Sequence, residues 1–150
     1  MLYSLLYRSV GAPGLTDGDV LGILTTSLRR NARAGVTGLL LHADVGPSLA
    51  AGPGLGVGQF VQWLEGPEAA VRDLYARIAA DPRHTDCETI AEGPAEAVAG
   101  RDARLFPHWS MSLERPSTLP VTVAAFLAYY REYVSENGIE HPLRSLRRWR

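Results

Sequence analysis

The chain contains no lysine: all 15 basic residues among its 150 are arginine. That absence excludes a Schiff-base linkage to pyridoxal phosphate or retinal, a P-loop lysine on a nucleotide phosphate, and a lysine general base. Cysteine is nearly as scarce. Cys87 stands alone, so neither an intrachain disulfide nor a CxxC metal or redox pair can form, and nothing requires an oxidising compartment. No apolar run approaches the roughly 18 residues of a membrane span, and MLYSLLYRSV meets its first charge too early for a secretory signal. A cytoplasmic location with no membrane partner is therefore expected.

What is present describes one globular domain, with 46% hydrophobic residues, 21% charged residues and a formal net charge of -1. A chain of this length buries a single good core. Charge is unevenly placed. The last seven residues hold Arg144, Arg147, Arg148 and Arg150 and no acid, leaving 11 basic against 16 acidic side chains before them. Such a tail is either the polar face of a short terminal helix, a frayed end, or a basic arm for nucleic acid or an acidic partner.

LYSLLYRS, residues 2 to 9, reads as a strand with Tyr3, Leu5 and Tyr7 on one face and Leu2, Leu6 and Arg8 on the other. After a GAPG turn, Thr16 and Asp19 form a weak capping-box pattern ahead of Val20, Ile23, Leu24 and Leu28 at helical spacing, with Gly35 as the stop. VTGLLLH (36 to 42) and QFVQWLE (59 to 65) read as strands joined by a Gly/Pro-rich stretch. Pro67 is expected at the first position of a second helix with Val71, Leu74, Tyr75 and Ile78 as its apolar face, closed by DPRH at 81 to 84. A fourth strand is expected over Thr85 to Glu92, a polar loop through Arg101, a fifth strand over 108 to 113, and a helix from Pro120 to Asn137. This order predicts an α+β, ferredoxin-like βαββαβ sheet with an extra strand, two helices on one face and C-terminal helices on the other.

Polar groups interrupt the apolar faces at four places. Ser27 and Asn31 fall on or beside the buried stripe of the first helix, where the hydroxyl bonds back to its helix and the amide caps the end near Gly35, or both meet a ligand. Gln62 alternates in phase with Phe60 and Leu64 and is either a satisfied core amide or a ligand contact. Tyr7 reads as a core tyrosine with its hydroxyl at the rim, and Trp109 and Met111 as packing residues. Together, Tyr7, Ser27, Asn31 and Gln62 suit a planar ligand with several hydrogen-bonding edges slotted between the two helices. They include no strong nucleophile with an adjacent base.

Five ordered motifs resemble those of the BLUF domains, the blue-light sensors using flavin: YRS at 7 to 9, Asn31 followed by GVTG at 35 to 38, FVQWLEGP at 60 to 67, DPRH at 81 to 84 and WSM at 109 to 111. The resemblance spans about Leu2 to Leu113. It implies a noncovalently bound flavin, FAD or alternatively FMN, with Tyr7 as the photo-oxidisable electron donor and Gln62 as the amide between that tyrosine and the flavin. Asn31 would hold the polar edge of the ring with Ser27 nearby, while Asp81, Arg83 and His84 would serve the ribityl and phosphate side. Trp109 and Met111 would lie on the strand that relays the signal. Two departures stand out: the long stretch at 43 to 58, and Arg30 where the family often carries a second amide, facing either solvent or the cofactor phosphates.

The sequence thus predicts a sensor domain over 1 to 115 and a helical extension over 116 to 150. The resemblance predicts a short photoreceptor without a fused output domain, neither enzyme nor metalloprotein, expected to homo-oligomerise and to act on a separate, unidentified downstream protein, with nucleic acid not expected as its partner. Two alternatives belong to other classes: a small hydrolase of the acylphosphatase type using Arg8 and Asn31, and a nucleic-acid or protein adaptor working through the arginine-rich tail.

Overall fold

A computed structural model describes residues 1–45, 57–107, 112–114, 116 and 118–137. Its elements run in the order β1 (Leu2–Gly11), α1 (Asp17–Ala34), β2 (Thr37–Val45), β3 (Val57–Pro67), α2 (Glu68–Ala80), β4 (His84–Pro94), α3 (Ala95–Ala99), β5 (Ser112–Glu114) and α4 (Val123–Asn137). The five strands lie in the order β4-β1-β3-β2-β5. Neighbours among the first four pair antiparallel, and β5 adds to the β2 edge as the extra strand, parallel to it. This is the predicted split βαβ arrangement: β1 and β2 flank β3, and α1 crosses between them.

Alternation along β1 and β3 divides the core into two layers. Tyr3, Leu5 and Tyr7 of β1 with Phe60 and Leu64 of β3 face Val20, Ile23 and Leu24 of α1 and Val71 of α2. Leu6, Val61 and Trp63 face the opposite way and meet Phe126 and Tyr133 of α4. Two helices on one face and the last helix on the other match the sequence expectation. Burying a large aliphatic or aromatic side chain contributes about 1.5–3 kcal/mol, so both layers fix the sheet.

The local signals act as their chemistry requires. The Thr16 side chain accepts from the Asp19 backbone while Asp19 accepts from the Thr16 backbone, a complete capping box, and α1 ends at Gly35 in the left-handed conformation. Gly38 of β2 has no room for a side chain, because a Cβ there would stand 1.9 Å from the Trp63 carbonyl oxygen.

Several boundaries differ from expectation. β3 runs on to Pro67, which caps α2 from outside instead of opening it, and β4 extends from His84 to Pro94. The expected polar loop after β4 contains the short helix α3. The last helix begins at Val123, not Pro120. Of the expected strand at 108 to 113, only Ser112 and Leu113 fall in β5; Trp109, Met111, the Gly/Pro-rich stretch 46 to 56 and the arginine tail lie outside the described residues.

Candidate functional site

Tyr7 of β1 and Gln62 of β3 are Cα partners in the antiparallel register, and both side chains point to the layer under α1 and α2. The Tyr7 hydroxyl donates to Gln62 Oε1 at 2.5 Å, a buried bond between residues 55 apart in sequence. The hydroxyl is not at a rim: Tyr7 has no exposed surface, and its ring packs 5.1 Å from that of Tyr75. Burial pushes the phenol pKa well above its ordinary 10.0, and nearby Cys87, Tyr75 and Asp81 add to the effect. The group is therefore a neutral O–H donor across the physiological range.

Above this pair, a narrow cleft of about 90 Å³ opens between α1 and α2. Ser27, Asn31, Asp81, Arg83 and His84 all line it, with Ile23, Leu74 and Ile78 as apolar walls and Arg30 and Arg77 completing it. The structure thus gathers five of the expected residues around one cleft and sets Tyr7 and Gln62 in the core layer that shares its walls. Trp109 and Met111 lie outside the described residues.

Asn31 departs from a purely structural role. Its backbone carbonyl accepts from Gly35 and Val36 at the end of α1, but its side-chain Nδ2 is buried without a hydrogen-bond partner. A buried unsatisfied amide costs about 1–3 kcal/mol, and this one lines the cleft. Ser27 makes no bond back to its helix among the described residues, whereas Thr25 does, to Leu21 O at 2.9 Å.

At the far end of the cleft, Arg83 clasps Asp81 through Nε and Nη2, at 3.0 and 2.6 Å, and its backbone N–H also donates to Asp81. The guanidinium holds the Asp81 carboxyl below its usual range. His84 is buried, with Nδ1 3.0 Å from Ser9 Oγ and its ring 4.9 Å from that of Phe60. Burial lowers its pKa below 6.5, Asp81 opposing and Arg83 reinforcing. The neutral imidazole is favoured.

Among the buried polar residues, Glu65 had a place in the expected third strand but no assigned role. Glu65, at the end of β3 and 1% exposed, accepts from Trp63 Nε1 and from the backbone N–H groups of Leu105 and Phe106, at 3.0, 3.1 and 2.7 Å. Its place in the opposite phase to Gln62 is readable from alternation; its backbone partners, some 40 residues away, are not.

The hydrolase alternative finds no support in this arrangement. Arg8 is bound to Glu88 at 2.6 Å and lines a different hollow from Asn31, so the two form no common anion cradle. No group of metal-ligating side chains occurs among the described residues, nor any helix long and apolar enough to cross a membrane.

Residues 2–112 match the family described as sensors of blue light using FAD. The chain belongs to the BLUF family. The photoactivated adenylate cyclase subunit beta of Euglena gracilis is 37% identical over 112 residues, covering 74% of this chain and 11% of that protein. The corresponding subunit of Euglena longa is 37% identical over 98 residues, covering 65% and 10%. This BLUF chain therefore spans about a tenth of the length of those relatives. Among solved structures, the BLUF protein BlrB in its dark state aligns with a TM-score of 0.61 and 31% identity over 97% of this chain and 94% of that one. Klebsiella pneumoniae BlrP1 with FMN and cyclic diGMP aligns with a TM-score of 0.62 and 26% identity, covering 89% of this chain and 30% of that one. BLUF domains bind flavin, and the donor set fits one: an orphaned buried amide, apolar walls for a planar ring, and an arginine suited to phosphate oxygens.

Proposed function

We propose that this BLUF domain senses blue light through the Tyr7–Gln62 pair, and the observation that carries the proposal is their buried hydrogen bond. A flavin held in the cleft supplies, under blue light, a strong one-electron oxidant. Tyr7 is the adjacent donor. Because burial keeps its phenol protonated, Tyr7 gives up its proton as it gives up an electron, and Gln62 Oε1 is the acceptor in hydrogen-bond contact. A carboxamide both accepts and donates, so Gln62 can take this proton at oxygen, rotate or tautomerise, and present a changed hydrogen bond after Tyr7 regains its electron and proton. No covalent bond to the protein is needed.

Asn31 and Ser27 would hold the polar edge of the ring, with Arg83, Asp81 and His84 at the ribityl and phosphate end. The cleft is smaller than the ~300 Å³ lower range of ligand pockets. Admission of a ring therefore requires side chains of its lining to move, and Arg30 and Arg77 are the exposed arginines among them. Residues 1 to 115 would form the sensor and 116 to 150 the extension that passes the signal to a separate protein, Trp109 and Met111 forming part of the relay. We read the chain as a non-catalytic, cytoplasmic, homo-oligomeric sensor; its match to part of much longer cyclase subunits fits a sensing module.

The test is an absorption spectrum of the flavin-loaded protein before and after blue light. A reversible red shift is expected in the wild type, and its loss in Tyr7→Phe and Gln62→Leu with flavin still bound. A normal photocycle in either variant contradicts the assigned roles.

A further inference from the structure

Besides its bond to Gln62, Tyr7 makes one ring contact among the described residues: the Tyr75 ring of α2 packs against it, centroids 5.1 Å apart and planes 49° apart. Tilted rings at this spacing touch, and touching π-systems exchange an electron readily. The two phenols differ in their surroundings. Tyr7 has no exposed surface and its hydroxyl is tied to Gln62 Oε1. Tyr75 is half-buried, and its oxygen accepts at 3.1 Å from the hydroxyl of exposed Thr89. Because Thr89 donates in that bond, the Tyr75 proton is directed away from it, at a place water reaches. An oxidised Tyr7 has a weakly basic amide in contact to take its proton; an oxidised Tyr75 releases its own to bulk water. The oxidised state is therefore more stable on Tyr75.

Resting on the photochemical role of Tyr7 above, we propose that Tyr75 is a second electron donor, which drains the Tyr7 radical and so limits the yield of the light response. Once Tyr7 has lost an electron to the photoexcited flavin and its proton to Gln62, Tyr75 supplies one electron to Tyr7. The proton returns from Gln62 to the Tyr7 oxygen, and the Tyr75 hydroxyl releases its proton to water. Tyr7 and Gln62 are then as they began, Tyr75 is the neutral radical, and its lost electron is the one the flavin holds. In the dark Tyr75 recovers that electron, relayed by Tyr7, and a proton from water, so no external oxidant or reductant takes part. Each passage through this branch resets Gln62 before its hydrogen bond changes. Thr89 is a positioning residue, holding the oxygen of Tyr75.

The experiment pairs the quantum yield of the red shift with electron paramagnetic resonance of the flavin-loaded full chain frozen under blue light. Tyr75→Phe keeps the ring and its packing but has no O–H to oxidise. It is expected to raise the yield about twofold, the gain for a branch as fast as the productive return, and to remove a tyrosyl radical trapped in the wild type. Thr89→Val leaves the radical in place but takes away the hydrogen bond at its oxygen, which shifts the g-tensor of a tyrosyl radical at high field. Unchanged thermal midpoints confirm that both variants fold. Tyr7→Phe should remove red shift and radical together, since Tyr75 is oxidised through Tyr7. A wild-type yield or a retained radical in Tyr75→Phe overturns the proposal, as does a radical signal indifferent to Thr89→Val. So does a yield that rises with Cys87→Ser and not with Tyr75→Phe, which would make the neighbouring thiol the donor. A radical that survives Tyr7→Phe also overturns the relay, because Tyr75 would then reduce the flavin directly. A red shift that survives Tyr7→Phe overturns the reading of Tyr7 itself, and this proposal with it.

Discussion

Asn31 keeps a buried amide nitrogen without a partner in a helix that otherwise satisfies its ends. Replacing it with leucine, close in volume, removes the desolvated N–H. Asn31→Leu is therefore expected to raise the denaturation midpoint of the flavin-free protein, by about 1 kcal/mol of unfolding free energy. It should weaken flavin binding at least tenfold in a fluorescence titration. A variant destabilised without flavin, or one binding flavin normally, contradicts a ligand-facing role. His84 governs the pH response at the same scale. Its native pKa is depressed by burial, so as pH falls the unfolded chain binds this proton first. The stability His84 contributes is complete above about 6.5 and is lost as pH falls from there to the depressed native value. Asp81, held low by Arg83, acts only in the more acidic carboxylate range. Thermal midpoints should decline between pH 7 and pH 5, and His84→Gln should flatten that decline.

At the scale of elements, period-two alternation made both faces of β1 and β3 legible, because each strand is buried on two sides by different partners. The same phase put Gln62 beside Tyr7 once β1 and β3 paired. Less legible was α3, an Ala-rich turn of five residues, too short to display a helical period. Glu65 escaped for another reason: a charged residue at a strand end ordinarily reads as exposed, and its donors come from a distant loop. That carboxylate ties β3 to residues 105 and 106, while Arg104 reaches back to the Gly35 and Glu65 carbonyl oxygens at 2.7 and 3.2 Å. Glu65→Ala leaves three buried donors unpaired at about 1–3 kcal/mol each, comparable with the whole stability of a small domain, and should largely unfold the protein. Glu65→Gln keeps the shape but loses one acceptor oxygen. It should fold with a lowered urea midpoint and faster tryptic cleavage after Arg104; wild-type resistance at that bond would show that the loop is held by something else.

For the whole molecule, the sheet is a wall with the cleft between α1 and α2 on one side and α4 on the other, and β3 belongs to both. Gln62 faces the cleft layer; the next residue, Trp63, faces away and stacks on Phe126 of α4, ring centroids 5.2 Å apart and planes 12° apart. Tyr130 of α4 adds a hydrogen bond to the Leu105 carbonyl at 2.7 Å, on the loop that Glu65 holds. A rearranged Gln62 hydrogen bond thus lies one residue from the packing that docks α4. Adjacency alone is not coupling; a shifted equilibrium of α4 would be. Hydrogen exchange of the flavin-loaded protein tests it. Blue light should speed exchange of α4 amides relative to those of α1, and Gln62→Leu should erase the difference. Phe126→Leu loosens the stack without touching the cleft, so it should raise α4 exchange in the dark while leaving the red shift intact. If α4 exchanges equally in light and dark while the red shift is present, the signal leaves the sheet by another route, and the Trp63–Phe126 stack is packing alone.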